Sequence, residues 1–301
     1  MLGKGHAASG VALWLAGWAW ATTAGLADPG VDVLTIGSLV CAGSALAPDV
    51  DHAESRIAYS GGPVTRWLAK TVGRTGHVVH ELTRLRADKP DLDGHRTITH
   101  TFAFAATLGA LITLLNTSFD DIGRWLTDTT GWPIAFLGRL PSALVVYALV
   151  NLGYTAARAA AGGRQAKIKL LGRRWRKGTV AAGIAATYTW LTLDSGVWWI
   201  GVAVGVGCAI HCLGDMITIG GCPILWPLPI PRTELRTVRR VKTRVRVWRT
   251  WYRVGTPRWM RFPVGGKTEK LVTDAVIALA VLAVLGLGYL LYWPTGPAAA
   301  R

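Results

Sequence analysis

Seven apolar stretches constrain this chain most, because each approaches the length of a segment that crosses a bilayer. A transmembrane helix needs about 17–25 predominantly apolar residues. Backbone groups in lipid must be satisfied within the segment, which favours helices for runs of this length. The sequence therefore predicts the all-α fold class, as a polytopic membrane protein with six or seven transmembrane helices. The stretches are about 8–26, 33–48, 99–116, 140–157, 179–194, 196–213 and 272–292.

The basic residues lie almost entirely on one side of these stretches. Lys4 and the segments 48–98, 153–178 and 214–271 contain 30 of the 33 Lys and Arg residues. Cytoplasmic loops of membrane proteins carry such an excess, so the N-terminus is predicted to be cytoplasmic and the C-terminus to lie outside. The net charge of +16 then follows from topology. The lipid bilayer is the predicted partner, and nucleic acid is not needed as one.

We expect a single membrane-embedded domain over residues 1–293, followed by a disordered tail at 294–301. Cytoplasmic or interfacial loops are expected at 53–94 and 214–271. No small-residue cleavage site follows the first apolar stretch, which predicts a signal anchor. The four cysteines include no CxxC pair and are predicted to pack as small apolar residues without disulfides.

Two loop segments carry an amphipathic pattern. Segment 64–85 predicts a membrane-surface helix. His77 and His80 within it either belong to that helix alone or contribute to a metal site. Segment 232–253 fits a helical stripe and also alternates like a strand. It either lies on the bilayer surface with its Arg side chains toward the headgroups, or is a solvated basic loop that only sets orientation.

Charged and imidazole groups gather at the cytoplasmic ends of three apolar stretches, where such groups are energetically costly. Each alone fits an ordinary role as a turn former, a helix cap or a hydrogen-bonded histidine. Thr97 or Thr99 is predicted to be the N-cap of the third stretch. Imidazoles and carboxylates together suit zinc, manganese or iron, so their convergence predicts a metal site. The groups are Asp49, Asp51 and His52; His95, Arg96 and His100; and His211 with Asp215 one helical turn apart.

The motifs around these groups resemble those of a known family, the YdjM-like, membrane-bound metal-dependent hydrolases of bacterial inner membranes. "GKGHAASG" resembles its opening Gly-His, and "LAPDVDHAES" resembles its Leu-Pro-Asp-Ile-Asp-His segment. "GHRTITHT" is similar to Gly-His-Arg-Gly-Thr-His, and "HCLGDMITIGGCPILWP" to a segment running from His-x-x-x-Asp to Trp-Pro; "GGKTEKLV" is a weaker fifth match. Segments 53–94 and 117–195 have no counterpart. Thr97 stands where the family has Gly, and Ile219 where it has Pro.

This resemblance implies a metal-dependent hydrolase in the bacterial inner membrane. Zinc is the predicted ion, with manganese or iron as alternatives and one or two ions per site. A bound ion would lower the pKa of its water from 15.7 to about 7. Carried over position by position, the metal ligands are Asp49, Asp51, His52, His95, His100, His211 and Asp215, followed by His6 and Glu269.

Catalytic roles for three residues complete the hypothesis. Asp51 or Asp215 would be the general base. Arg96 would clamp a phosphate or carboxylate, or is one more cytoplasmic charge. A site ringed by Arg at headgroup depth favours a lipid ester or phosphoester as substrate. His6 alternatively flanks the first stretch, and Glu269 is alternatively a helix-start carboxylate. An ion transporter, or a structural or regulatory protein stapled by a metal, are the competing functions.

Overall fold

The computed structural model describes residues 3–52, 55, 58, 63–90, 94–161, 171–192, 197–238 and 241–292. The predicted disordered tail at 294–301 lies outside these residues. Within them the protein is mostly helical, as predicted. The helices are α1 Gly3–Thr23, α2 Val31–Ser44, α3 Pro63–Thr83, α4 Phe102–Thr130, α5 Leu140–Ala161, α6 Leu171–Thr192, α7 Trp198–Met216 and α8 Lys267–Tyr292.

Five helical segments are long and apolar enough to cross a membrane among the described residues. They correspond to the second, third, fourth, sixth and seventh predicted stretches, and the third is longer than predicted. The first and fifth stretches form α1 and α6, but neither is a candidate span, so seven spans are not confirmed. Helix α1 is rich in Gly, Trp and Thr, and α6 begins with four basic residues in its first seven. The candidates are Val31–Asp51, Phe102–Thr130, Ala135–Tyr154, Trp198–Met216 and Lys267–Gly288.

Helix α1 runs antiparallel to α2 along its whole length. The indole Nε1 of Trp14 donates to the Val33 carbonyl at 3.0 Å. Gly10 packs closely against a later turn of α2, since a Cβ on Gly10 would be 2.8 Å from the Cys41 carbonyl oxygen. The first residues of α1 therefore lie beside the last residues of α2. This pairing places His6 at the same end of the bundle as the turn that follows α2.

The core is built on α2, α4, α5 and α7, and small residues allow the helices to approach closely. A Cβ on Gly109 of α4 would lie 2.8 Å from the carbonyl oxygen of Gly201 in α7. The four cysteines are free and buried, which confirms the prediction that they form no disulfide among themselves. The central cluster includes Val40, Val146, Ile200 and Val204.

Segment 230–249 forms an antiparallel hairpin of β1 Ile230–Val238 and β2 Val241–Arg249, so the all-α prediction is wrong here. The open choice between helix and strand for 232–253 is decided in favour of strands over most of its length. The alternation of buried and exposed side chains explains why strands form, since Val247 is buried while the neighbouring Trp248 is exposed. An ion pair between Arg249 and Glu234 links the two strands.

The buried carboxylate of Asp88 connects the residues after β2 to the loop that follows α3. Asp88 Oδ2 accepts hydrogen bonds from the Leu85 amide at 2.8 Å and from the Thr250 hydroxyl at 2.8 Å, and Oδ1 accepts from the Trp251 amide at 3.2 Å. Trp251 also stacks on Trp226, with ring centroids 5.0 Å apart. Helix α3 and the base of the hairpin are thus joined into one peripheral layer.

Candidate metal centre

Four helix ends bring the three predicted polar groups together at one end of the bundle. Helix α2 continues into a 3-10 turn over Ala47–Asp51, and a second 3-10 turn, Ile98–His100, precedes α4. Helix α7 contributes His211 and Asp215 from its last two turns, and α1 contributes His6 from its first. The side chains of His6, Asp51, His100, His211 and Asp215 are all buried.

The imidazole of His211 is oriented by the main chain of α2. Its Nδ1 lies 2.9 Å from the carbonyl oxygen of Ala45. A carbonyl oxygen only accepts hydrogen bonds, so this Nδ1 carries a hydrogen and donates it. In the neutral ring the lone pair is then on Nε2. That Nε2 points away from α2, toward His100.

The imidazole of His100 is oriented in the same way, through Thr99 and Asp51. The Thr99 hydroxyl donates to Asp51 Oδ2 at 2.6 Å, which uses its only hydrogen. The same hydroxyl oxygen lies 3.0 Å from His100 Nδ1, so it accepts the hydrogen of that nitrogen. Asp51 Oδ2 is also 3.3 Å from His100 Nδ1. The lone pair of the neutral His100 ring is therefore on Nε2 as well.

The two Nε2 atoms face each other at 3.2 Å, and two carboxylate oxygens lie beside them. Asp49 Oδ1 is 3.5 Å from His211 Nε2 and 3.7 Å from His100 Nε2. Asp215 Oδ2 is 3.8 Å and 3.7 Å from the same two nitrogens. Ligands around a tetrahedral zinc ion, at about 2.0–2.1 Å from it, are separated by about 3.3–3.4 Å. The donor types suit such an ion, and the separations of the two nitrogens from each other and from the two oxygens are close to this spacing.

His6 and His95 extend the cluster on opposite sides. His6 stacks on His211 with ring centroids 3.9 Å apart, and its Nε2 is 3.4 Å from Asp215 Oδ1. Neither buried ring nitrogen of His6 makes a hydrogen bond among the described residues. Two groups have donor atoms close enough to share an ion, namely His6, His211 and Asp215, and Asp49, His95 and His100. This arrangement leaves both one ion and two ions open.

Asp51 lies behind the four central atoms. Its Oδ1 is 2.9 Å from His95 Nδ1, and its Oδ2 accepts from Thr99 and from the Arg96 amide, the latter at 3.2 Å. Both oxygens are therefore engaged in orienting neighbouring groups. His52 reaches only the edge of the cluster, where its ring packs edge-on against His95 at 4.7 Å.

Arg96 closes the cluster from the side of the loop after α7. Its Nη2 is 2.9 Å from Asp215 Oδ2, and its Nη1 donates to the Gly221 carbonyl at 3.2 Å. A side chain at Gly220 would clash with this guanidinium, since a Cβ there would be 2.1 Å from Nη1. Gly220 therefore leaves the room that Arg96 occupies. Arg96 has a φ of 57°, whereas Thr97 has a φ of −106°, so position 97 does not require a glycine.

The charge of the cluster favours a cation. Burial alone would lower the pKa of His100, but the Asp51 and Asp49 carboxylates outweigh it and raise the pKa to about 10. Burial, together with Cys212, raises the pKa of the Cys222 thiol well above its ordinary value. Cys222 accordingly stays a thiol and donates to the His100 carbonyl at 2.9 Å. A proton and a metal ion compete for His100 because both need the Nε2 lone pair.

Among the described residues, the cluster is most open to solvent on the side of Asp49 and His95. The side chains of Asp49 and His95 are 28% and 24% exposed, whereas those of His100 and His211 are completely buried. His52, which is half-buried, lies on the same side. Water and a substrate group would therefore enter past Asp49 and His95.

Several residues singled out from the sequence lie elsewhere. Glu269 is buried near the start of α8 and accepts the Gly265 amide hydrogen, as expected of a helix-start carboxylate, and it is in neither ligand-spaced group. His80 packs on Trp251 at 4.8 Å, and His77 is exposed on α3. The N-cap prediction is wrong: Thr101 caps α4, because the turn before it holds His100.

Sequence reasoning missed the role of Thr99, and a conservative variant tests it. Thr99→Val keeps the shape but removes the hydroxyl that joins Asp51 to His100. We expect zinc affinity to fall by about 10–100-fold, as for other groups that orient metal ligands. Competition with a chromophoric chelator measures it. Thr189→Val is the control, since that hydroxyl bonds only within its own helix. Equal affinities in both variants would contradict the role.

Comparison with known proteins gives one family. The family model described as "YdjM inner membrane protein" matches residues 1–160 and 176–294. No curated protein and no solved structure matches the chain.

Proposed function

The chain belongs to the YdjM inner membrane protein family, and from this premise we propose that it is a multi-pass metalloprotein that hydrolyses a lipid ester or phosphoester. The ion is zinc, with manganese or iron as alternatives. Asp49, His100, His211 and Asp215 hold it. Lys4 and the basic segments support the assignment of this end of the bundle to the cytoplasm, with the C-terminus outside.

One observation carries the proposal. The Nε2 atoms of two imidazoles face each other at 3.2 Å, and each lies 3.5–3.8 Å from the same two carboxylate oxygens, while the other nitrogen of each ring is held by an oxygen. These atoms need a positive charge between them, which the proton on His100 supplies in the absence of an ion and a divalent cation supplies in its place when bound. Metal-ligating histidines are typically held in this way, through a carbonyl or a carboxylate on the second nitrogen.

In the proposed reaction the ion activates water, and residues at the solvent-exposed side of the cluster accept the proton. A divalent ion supplies Lewis acidity, which lowers the pKa of water from 15.7 to about 7. His95 lies at that opening with Asp51 2.9 Å behind its Nδ1. This pair is suited to accept a proton from the attacking water, with Asp51 holding the ring in place. Asp51 thus supports the general base, and Asp215 remains with Arg96 and the ion.

The location of the site supports the substrate class. It lies where the candidate spans Val31–Asp51 and Trp198–Met216 end, and the sequence segments predicted to be cytoplasmic carry most of the basic residues. Anionic headgroups of the adjacent leaflet would be attracted to this end. An ester or phosphoester bond near the headgroup would be within reach of Asp49 and His95.

Hydrolysis of defined lipids tests the proposal. Purified, zinc-loaded protein in nanodiscs is assayed against phospholipid, lipid-phosphate and acylglycerol substrates. We expect product formation that chelation abolishes and zinc restores. His95→Gln should lower kcat by about 100-fold or more, the range of general acid–base catalysis, while zinc content is unchanged. His77→Gln on the exposed face of α3 is the control and should retain activity.

A second function is favoured by the number of donors. Four protein atoms complete a tetrahedral shell, and closed shells are typical of structural zinc. A metal that only staples α2, α4 and α7 would lower thermal stability on removal and support no turnover. Bound zinc, a lower Tm after chelation and no activity across the lipid panel would favour this second function over the hydrolase.

A further inference from the structure

Helix α3 has three distinct faces, and one of them packs on the metal centre. The packed face consists of Ala69, Gly73, Gly76 and His80, all buried and spaced by three or four residues. A Cβ on Gly73 would lie 3.0 Å from the Asp51 carbonyl oxygen, so the helix backbone almost touches the turn that carries the cluster. Helix α3 therefore lies across the end of α2, where the candidate span Val31–Asp51 ends.

The opposite face of α3 is apolar and uncovered. Its large side chains recur at helical spacing over five turns, and their exposures range from 42% to 79%. Five large apolar groups on one side of one helix are unusual for a surface in contact with water. These residues are Val64, Trp67, Leu68, Val78 and Leu82.

The third face is cationic and borders the apolar one. Arg66, Lys70 and Arg74 follow one another at intervals of four residues, and all three are exposed. Glu81, the one carboxylate in α3, is paired with Arg84 at 2.8 Å. A helix with a broad apolar side, a cationic side and low net hydrophobicity lies in the plane of a membrane interface. Long Arg and Lys side chains reach from such a helix to the lipid headgroups.

We propose that α3 binds anionic phospholipids of the leaflet next to the metal centre. Its apolar face enters the acyl boundary, and Arg66, Lys70 and Arg74 contact the phosphate headgroups. Two observations select this occupant. The cationic row is complementary to an anionic lipid surface. The helix also packs directly on the membrane-embedded bundle, because Gly73 lies against Asp51 at the end of the candidate span Val31–Asp51. The inference concerns the helix alone and does not depend on a bound metal ion.

Accessibility of two neighbouring labelled positions tests this. Leu68→Cys lies on the apolar face and Lys70→Cys on the cationic face, and the four native cysteines are buried. Each variant carries a nitroxide in nanodiscs with and without phosphatidylglycerol, and collision with oxygen and a nickel chelate is measured. We expect a several-fold higher oxygen-to-nickel ratio at Leu68 than at Lys70. A high nickel accessibility at Leu68 would place the face in water and overturn the proposal.

The same measurement identifies another occupant. Low accessibility of Leu68 to both reagents would mean that protein, such as a second copy of the chain, covers the face, which also overturns the proposal. The contribution of the headgroups is isolated by the triple variant Arg66→Gln, Lys70→Gln, Arg74→Gln. We expect the native protein to enrich spin-labelled phosphatidylglycerol over phosphatidylcholine, and the triple variant to lose most of this enrichment. Unchanged enrichment would contradict headgroup binding by α3.

Discussion

Replacing His211 with alanine is expected to lower zinc affinity by more than about 100-fold. His211 supplies one of the two facing Nε2 atoms, and losing a group that merely orients a ligand already costs about 10–100-fold. The variant also removes the ring against which His6 stacks. Zinc content is measured by elemental analysis after dialysis against a weak chelator, with protein purified in the same detergent.

Cys212→Ala provides the matched control, because Cys212 is the next residue of α7 and equally buried. Cys212 packs with Cys222 and Ile224 rather than in the imidazole cluster. We expect its zinc content to match the unmodified protein. If His211→Ala keeps as much zinc as Cys212→Ala, the four-atom centre is refuted, whatever happens to activity.

Gly94→Ala is expected to cause the largest loss of stability among single methyl additions near the site. Gly94 has a φ of 73°, and a Cβ there would lie 2.2 Å from the Gly73 carbonyl oxygen. The left-handed conformation costs about 1–2 kcal/mol and overpacking about 1–3 kcal/mol more. Together they should lower Tm by about 5–15 °C in a thermal scan. Because His95 follows directly, zinc affinity should fall with it.

Gly131→Ala separates the clash from the backbone conformation. Gly131 has a φ of 72° but no neighbour within 4 Å of a Cβ, so it incurs the conformational cost alone. The difference in Tm between the two variants therefore measures the contact between Gly94 and Gly73. Equal losses of Tm would mean that α3 is not pressed against the loop that carries His95.

The polar groups could be found in the sequence because each lies where an apolar segment begins or ends. Such positions are visible in the sequence, since charge is costly inside a span and has to be placed at its end. The motifs could not show that the neighbouring carboxylates of Asp49 and Asp51 have different roles. Asp49 and Asp51 are two residues apart, yet Asp49 faces the two Nε2 atoms while Asp51 holds the far side of the His100 ring. That difference is set by a 3-10 turn, whose side chains point in directions that spacing alone does not fix.

The oxygen atoms that orient the imidazoles could not be predicted either, because residue spacing does not reveal them. The Ala45 carbonyl is a main-chain atom without any sequence signature. Thr99 did carry a signal, since a hydroxyl beside a candidate ligand can orient it, but its position before a helix pointed to capping instead. Glu269 shows the converse case. The order of the motifs along the chain suggested Glu269 as a metal ligand. In the folded protein its carboxylate accepts a hydrogen bond from the Gly265 amide instead.

The hairpin and the weaker spans depended on tertiary contacts. Segment 232–253 satisfies two periodicities at once, and pairing of Glu234 with Val245 and Arg232 with Val247 selects the strand. Helix α1 resembles a span in length, but it is not apolar enough to be a candidate span, and its Gly3 and Gly10 lie against the end of α2 and the turn that follows it.

The Asp88 bond network gives the peripheral layer mechanical continuity with the chemistry beneath it. A force or a binding event at the base of the hairpin would act on Thr250 and Trp251, which bond Asp88 in the loop after α3 and also bond Thr83 in the last turn of α3. Helix α3 in turn touches the turn of Asp51 through Gly73. An unbroken series of contacts therefore connects the surface hairpin, through α3, to the turn whose Asp51 carboxylate is bonded to Thr99 beside His100, so that a displacement at the hairpin could be transmitted to the buried imidazoles.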